Sequence, residues 1–191
     1  MARRSPATPE DTKAAGPPED PEGVARQILL RRLTEQPRTR AELATALAKR
    51  RVPDEVAARV LDRFGEVGLV DDAAFARAWV ESRHGGRGLG RRALAHELRR
   101  KGVDNEVAQE AVAAVGDDEE LAAAKSLVDR KLPGLRRLDR ARAERRLMGL
   151  LGRRGFPLGL ARSVVRDALR ERPYDPAVDP AGERDMPLDL P

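Results

Sequence analysis

The chain has 191 residues, with 37 Lys and Arg against 32 Asp and Glu, no cysteine, and no apolar run near the ~18 residues a membrane span needs. Those counts exclude disulfides, thiol catalysis, cysteine-ligated metals and a membrane-spanning helix. With five aromatic residues in all, a core has to be built from Leu, Val and Ala, which suits closely packed helices better than strands.

Taken from the start, MARRSPATPEDTK has arginines but no apolar stretch behind them, so no secretory signal is expected and the natural compartment is the cytoplasm. Residues 1–23 balance to −2 and residues 172–191 to −3, which leaves +10 for 24–171. Ten of the fourteen prolines also fall in those two ends. Proline and charge without apolar periodicity cannot bury enough surface to offset chain entropy, so 1–22 and 172–191 are expected to be disordered. The basic middle suits a polyanion, or an acidic or nucleic-acid-filled groove on another protein.

The middle repeats itself. TRAELATALAKRRVPDEVAARVL (39–61) aligns with GRRALAHELRRKGVDNEVAQEAV (90–112) at an offset of 51, and a further offset of 53 reaches the third copy. Leu43, Leu47, Val52, Val56 and Val60 fall on Leu94, Leu98, Val103, Val107 and Ala111, then on Leu147, Leu151, Phe156, Leu160 and Val164. The first and last two of each set are i, i+4 pairs that share a helix face, and the middle residue stands in the turn. A basic run precedes each turn residue (Lys49-Arg50-Arg51, Arg100-Lys101-Gly102, Arg153-Arg154-Gly155), and Pro53-Asp54, Asp104-Asn105 or Pro157 starts the next helix. An earlier helix opens each copy, over about 22–34, 71–84 and 117–131, the later two behind Asp71-Asp72 and Asp117–Glu120. The pattern predicts an all-α chain of nine helices in three tandem three-helix repeats at 23–70, 71–116 and 117–171. Stacked in order, they would form an elongated, curved, solenoid-like body.

The second copy carries something more specific. DDAAFARAWVESRHGGRGLGRRALAHELRRKGVD (71–104) resembles the signature region of the RecX family through Asp72, Phe75, Ala76, Trp79, Arg83, the glycine-rich turn Gly85–Gly90, Glu97-Leu98 and Arg99–Gly102. The FGEVGLVDDAAFA junction (64–76) also fits, and the resemblance spans about 24–171, though the third copy would not carry it alone. It implies a monomeric, non-enzymatic, all-helical regulator without cofactors. Such a protein binds the RecA recombinase and its filament on single-stranded DNA. It restrains ATP hydrolysis, strand exchange and the co-protease activity behind the SOS response, and some members also bind DNA directly.

Arg83, Arg87, Arg91, Arg92, Arg99, Arg100 and Lys101 cluster around the glycine-rich turn and are the candidate contact residues for partner or nucleic acid. Arginine's planar fork meets carboxylate and phosphate alike. The plainer alternative is a solvated helix face. The glycines lack the strand and the Lys-Ser/Thr of a phosphate-binding loop, so a turn is expected there. Trp79, four residues after Phe75, is expected to pack in the core. His84 and His96 have no carboxylates at ligand spacing, so no metal site is expected. The acidic pairs at helix starts need no acid–base chemistry. Two other classes fit less of the chain: a helix-turn-helix transcription regulator built on 38–64, and a helical scaffold for some other protein.

Overall fold

Helices begin where a side chain can take up the open backbone N–H groups. Asp20 accepts from Gly23 N at 2.9 Å, and Pro21 occupies the first helical position of α1 (Pro21–Glu35). Thr39 and Glu42 cap α2 (Arg40–Ala48) reciprocally, the T-x-x-E signature of a capping box. Pro53 leads into α3 (Asp54–Glu66), and Asp71 accepts from Ala74 N ahead of α4 (Asp72–Arg87). Then follow α5 (Arg91–Arg100), α6 (Asn105–Ala113) and α7 (Asp117–Lys131), whose first turn holds four acids. A 3-10 turn at Leu132–Leu135 precedes α8 (Arg140–Arg153), capped by Asp139, and α9 (Leu158–Arg170).

These nine helices, without a strand, are the secondary structure of the computed structural model over the described residues, 18–170. The all-α architecture therefore holds. The ends expected to be disordered lie outside the described residues, apart from 18–22, of which 21–22 already belong to α1. None of the helices is long and apolar enough to cross a membrane.

The same turn closes the second helix of every copy. Val52, Val103 and Phe156 donate their N–H to the carbonyls of Leu47, Leu98 and Leu151 at 3.3, 3.1 and 3.1 Å. The residue before each takes a positive φ: Arg51 at 57°, Gly102 at 79° and Gly155 at 81°. Together these are three Schellman caps, and the apolar residue just past the turn folds back onto the core. The first copy places an arginine where the other two place glycine.

Twelve of the fifteen aligned apolar positions are buried. The three that are only half-buried, Val56, Val107 and Leu160, are the same position in each copy. The alanine that follows each of them, Ala57, Ala108 or Ala161, is buried instead. The third helix therefore turns one residue further than the valine pairs suggested. A methyl group at the contact lets neighbouring helices close to the short end of the usual ~8–10 Å spacing.

Contacts divide the described residues into two compact units: 18–76 with Leu98–Val107, and Arg77–Glu97 with 108–170. The core of the first unites α1, α2 and α3 around Leu29, Leu43, Leu47, Val60, Leu61 and Phe64. The core of the second is built where α7, α8 and α9 meet, around Val128, Leu147, Leu151, Phe156 and Val165. The middle copy is shared between the units, so the units do not coincide with the repeats. One element differs from expectation. The helix expected to stop at residue 84 runs on through Gly85 and Gly86 to Arg87. Glycine weakens a helix without forbidding it, and α4 ends only at Gly88, whose φ of 58° breaks the helical path.

Candidate partner-binding cleft

The first turn of α2 and the first turn of α5 are built alike, and each is completed by the copy that follows. Within the first unit, Asp72 Oδ1 accepts from Arg40 N at 2.8 Å, and Thr39 Oγ1 donates to the Lys101 carbonyl at 2.6 Å. Within the second unit, Glu120 Oε1 accepts from Arg91 N at 2.9 Å, and Gly90 N donates to the Arg154 carbonyl at 2.8 Å. In both, an acid from the next copy caps the helix while a carbonyl from the next copy's Schellman turn takes the N-cap hydrogen. Backbones meet closely here: a Cβ on Gly102 would lie 2.2 Å from Ala41 Cβ, and one on Gly155 would lie 2.3 Å from Ala93 N.

These junctions sort the seven candidate residues. Arg91 holds Glu120 at 2.7 Å and Asp117 at 2.6 Å, and the Glu120 side chain is fully buried. Hydrogen bonds from Glu120 first, then Asp117, keep the Arg91 guanidinium above its ordinary range. Lys101 pairs with Glu42 at 2.7 Å and lies near the Phe75 ring. Arg83 stacks 4.1 Å above the Trp79 ring and faces Glu97. These three side chains are two-thirds buried or more and are occupied by structure. Arg87, Arg92, Arg99 and Arg100 are exposed. Arg87 and Arg92 belong to the second unit, Arg99 and Arg100 to the first.

In the second unit the glycine-rich turn forms one wall of a cleft of about 880 Å³. Its cations are Arg87, Arg130, Lys131, Arg153 and Arg154, set beside the backbone of Gly85, Gly86 and Gly88. Arg154 donates to the Arg87 carbonyl, which ties the glycine turn to the end of α8. Arg87, Lys131 and Arg153 are exposed, and none has an acidic partner among the described residues. The single lining carboxylate, Glu97, already accepts from Trp79 Nε1 at 2.9 Å. The cleft thus offers uncompensated positive charge beside bare backbone, an arrangement suited to carboxylates or phosphates. Four of its five cations come from the third copy, where sequence reading saw only generic helices. The signal was present in Arg153-Arg154, but it read as C-terminal capping.

The remaining side chains have structural roles. Trp79 is half-buried, bonded to Glu97 and covered by Arg83, and does not belong to the core as expected. Its indole N–H needs a polar partner, and that draws the ring to the edge. His84 Nδ1 lies 2.9 Å from the Leu89 carbonyl and helps shape the turn. No group of three potential ligands able to hold a metal ion occurs among the described residues. The acids at 71–72 and 117–120 do more than start their own helices, since Asp72, Asp117 and Glu120 bind the preceding copy.

Three helix triplets joined by repeated junctions, with a basic cleft beside the second, define a tandem three-helix repeat protein over the described residues. Comparison makes this specific. Models of RecX match the chain three times: the first three-helix domain at 25–64, the second at 71–112 and the third at 117–165. The regulatory protein RecX of Streptomyces coelicolor is 55% identical over 159 residues, covering 83% of this chain and 85% of that protein. Its counterpart in Thermobifida fusca is 55% identical over 152 residues, with 80% and 82% covered. The crystal structure of RecX from Lactobacillus salivarius superposes with a TM-score of 0.73 over 78% of this chain and 96% of that one. At 17% identity that likeness speaks for the fold. The chain belongs to the RecX family of regulatory proteins, a non-enzymatic family.

Proposed function

We propose that this chain binds the RecA recombinase and its filament on single-stranded DNA, and restrains ATP hydrolysis, strand exchange and co-protease activity. It does so in the cytoplasm, as a monomer without a cofactor. The observation that carries this reading is the conjunction of three matched RecX domains with the open basic cleft beside the glycine-rich turn. The division into repeats at 23–70, 71–116 and 117–171 belongs to the same reading, supported by the three matched spans. The exposed arginines and Lys131 meet either acidic RecA side chains or the phosphates of the filament's DNA. Against a helix-turn-helix regulator stands the passage from α3 into another helix, α4, where a winged domain has a hairpin.

The test is RecA's single-stranded-DNA-dependent ATPase with the chain added below stoichiometry. The expected result is a falling rate and shorter filaments; an unchanged rate and filament length would overturn the reading. Replacing Arg87, Arg130 and Arg153 together by Glu is expected to weaken inhibition at least ~10-fold with helical circular dichroism retained. Each reversed charge at a cation-lined surface costs on the order of 1 kcal/mol or more.

A further inference from the structure

His84 lies half-buried near the end of α4 and lines the cleft beside the glycine turn. Its Nδ1 is 2.9 Å from the Leu89 carbonyl oxygen. A carbonyl only accepts, so Nδ1 carries the hydrogen, and the neutral ring then holds a bare lone pair on Nε2. That lone pair would meet an oxyanion as acceptor against acceptor. Only the protonated ring, a donor at both nitrogens, can bond a phosphate or carboxylate oxygen in the cleft. An oxyanion that bonds His84 therefore has to arrive with a proton.

The surrounding charges favour that coupling. Exposed Glu81 and Arg87 stand three positions before and after His84 on α4. The other charged residues of the cleft are Glu97 of α5, Arg130 and Lys131 of α7, and Arg153 and Arg154 at the end of α8. Glu97 is taken by Trp79 Nε1 at 2.9 Å and faces Arg83. With Glu97 engaged and Glu81 in solvent, a seated oxyanion is the counter-charge that an imidazolium at this position would gain. Proton and anion then each strengthen the binding of the other.

The same surface indicates the kind of oxyanion. Lys131 and Arg153 also line a groove of about 620 Å³ along α8, together with Arg142, Arg145 and Arg146. All five are exposed. From Arg142 to Arg153 the stripe runs ~16 Å at 1.5 Å per helical residue. A lone carboxylate meets one or two of these cations, whereas a nucleic-acid strand carries a phosphate at every nucleotide and meets them in series. A phosphodiester also has no hydrogen of its own to offer Nε2.

We infer that His84 is a phosphate-binding residue of this cleft, and that a single nucleic-acid strand seats among its cations together with a proton on the imidazole. This role rests on the cleft being the polyanion site of the proposed function. Its consequence is a grip that tightens as pH falls through the range in which imidazole takes up a proton.

A suitable probe is an oligothymidylate of about eight nucleotides without a terminal phosphate, because its diesters keep one charge each across that range. At fixed ionic strength its dissociation constant for the full-length chain is expected to fall roughly fivefold from about pH 8 to about pH 6, the worth of one charge added at roughly 4 Å in water. Calorimetry in buffers of different ionisation enthalpy should show uptake of about half a proton per strand near neutral pH. His84→Asn keeps an amide N–H for the Leu89 carbonyl and should abolish both effects with helical circular dichroism unchanged. His96→Asn alters the other histidine, exposed on α5 and outside the cleft lining, and should leave both intact. No binding, binding that does not vary with pH, or a pH dependence that persists in the His84→Asn chain overturns the inference. So does proton-linked binding of an oligoaspartate peptide in place of the oligothymidylate, because it assigns the cleft to an acidic protein. None of these measurements uses RecA, so failure here removes the role of His84 and leaves the proposed function to its own ATPase test.

Discussion

Arg51, Gly102 and Gly155 occupy one structural position, and their differences show what a single residue decides. All three adopt positive φ, which costs a side-chain-bearing residue on the order of 1 kcal/mol and glycine almost nothing. Arg51→Gly should therefore raise stability by roughly 0.5–1 kcal/mol in urea unfolding. Gly155→Ala should lower it by about 2 kcal/mol or more, because its Cβ would add a clash at 2.3 Å from Ala93 N to the strained φ. Equal effects at the two positions would mean that the close approach seen in the second unit carries no weight. The exchange of Arg for Gly is visible in the aligned sequences; the clash is not, because it depends on a neighbour 62 positions away.

At the scale of an element, α4 is the informative case. Two consecutive glycines near its end read as a turn, yet they stay helical, and a Cβ on either would meet nothing within 4 Å. Replacing both with alanine should lengthen the helix's lifetime and stabilise the chain by roughly 1–2 kcal/mol, from the helix propensity difference alone. Helical circular dichroism and urea midpoint would report it. A loss of stability would show that these positions require glycine's freedom and that the turn begins earlier. The stop at Gly88 is set by backbone geometry, with its N–H bonded to His84 O at 2.9 Å. Local propensity could not distinguish it from Gly85 or Gly86.

For the whole molecule, the junctions hold successive copies together. Glu120 is the test residue: fully buried, it accepts the Arg91 N–H and both ends of its side chain face Arg91 donors. Glu120→Ala leaves the Arg91 backbone donor without a partner and its guanidinium with Asp117 alone, and should cost ~2–3 kcal/mol in thermal or urea unfolding. The pH sense follows from Arg91. Its folded-state value is raised, so its contribution is fully present below the ordinary arginine range and lost only as pH climbs through the raised value. Across pH 6–9 the Arg91 part of the Glu120→Ala loss should therefore stay constant, which unfolding at three pH values would check. A loss that varied steeply over that window would point to a different titrating group at the junction.

The particular residues of 71–104 carried the resemblance to the RecX family, while composition and periodicity by themselves determined that the chain is helical, that it repeats three times and that most of the aligned leucines and valines are buried. Each of those rests on spacing within one helix or on recurrence along the chain, and both are one-dimensional properties. The tertiary structure decided which arginines are available. Arg83, Arg91 and Lys101 read like Arg87 and Arg92 in sequence, but the carboxylates they face lie 14 to 59 positions away and are met only in three dimensions. It also brought Arg130, Lys131, Arg153 and Arg154 of the third copy to the glycine turn of the second. A charge becomes a binding group or a brace according to what the fold sets against it, because an ion pair made at a junction removes the field that a partner would have met.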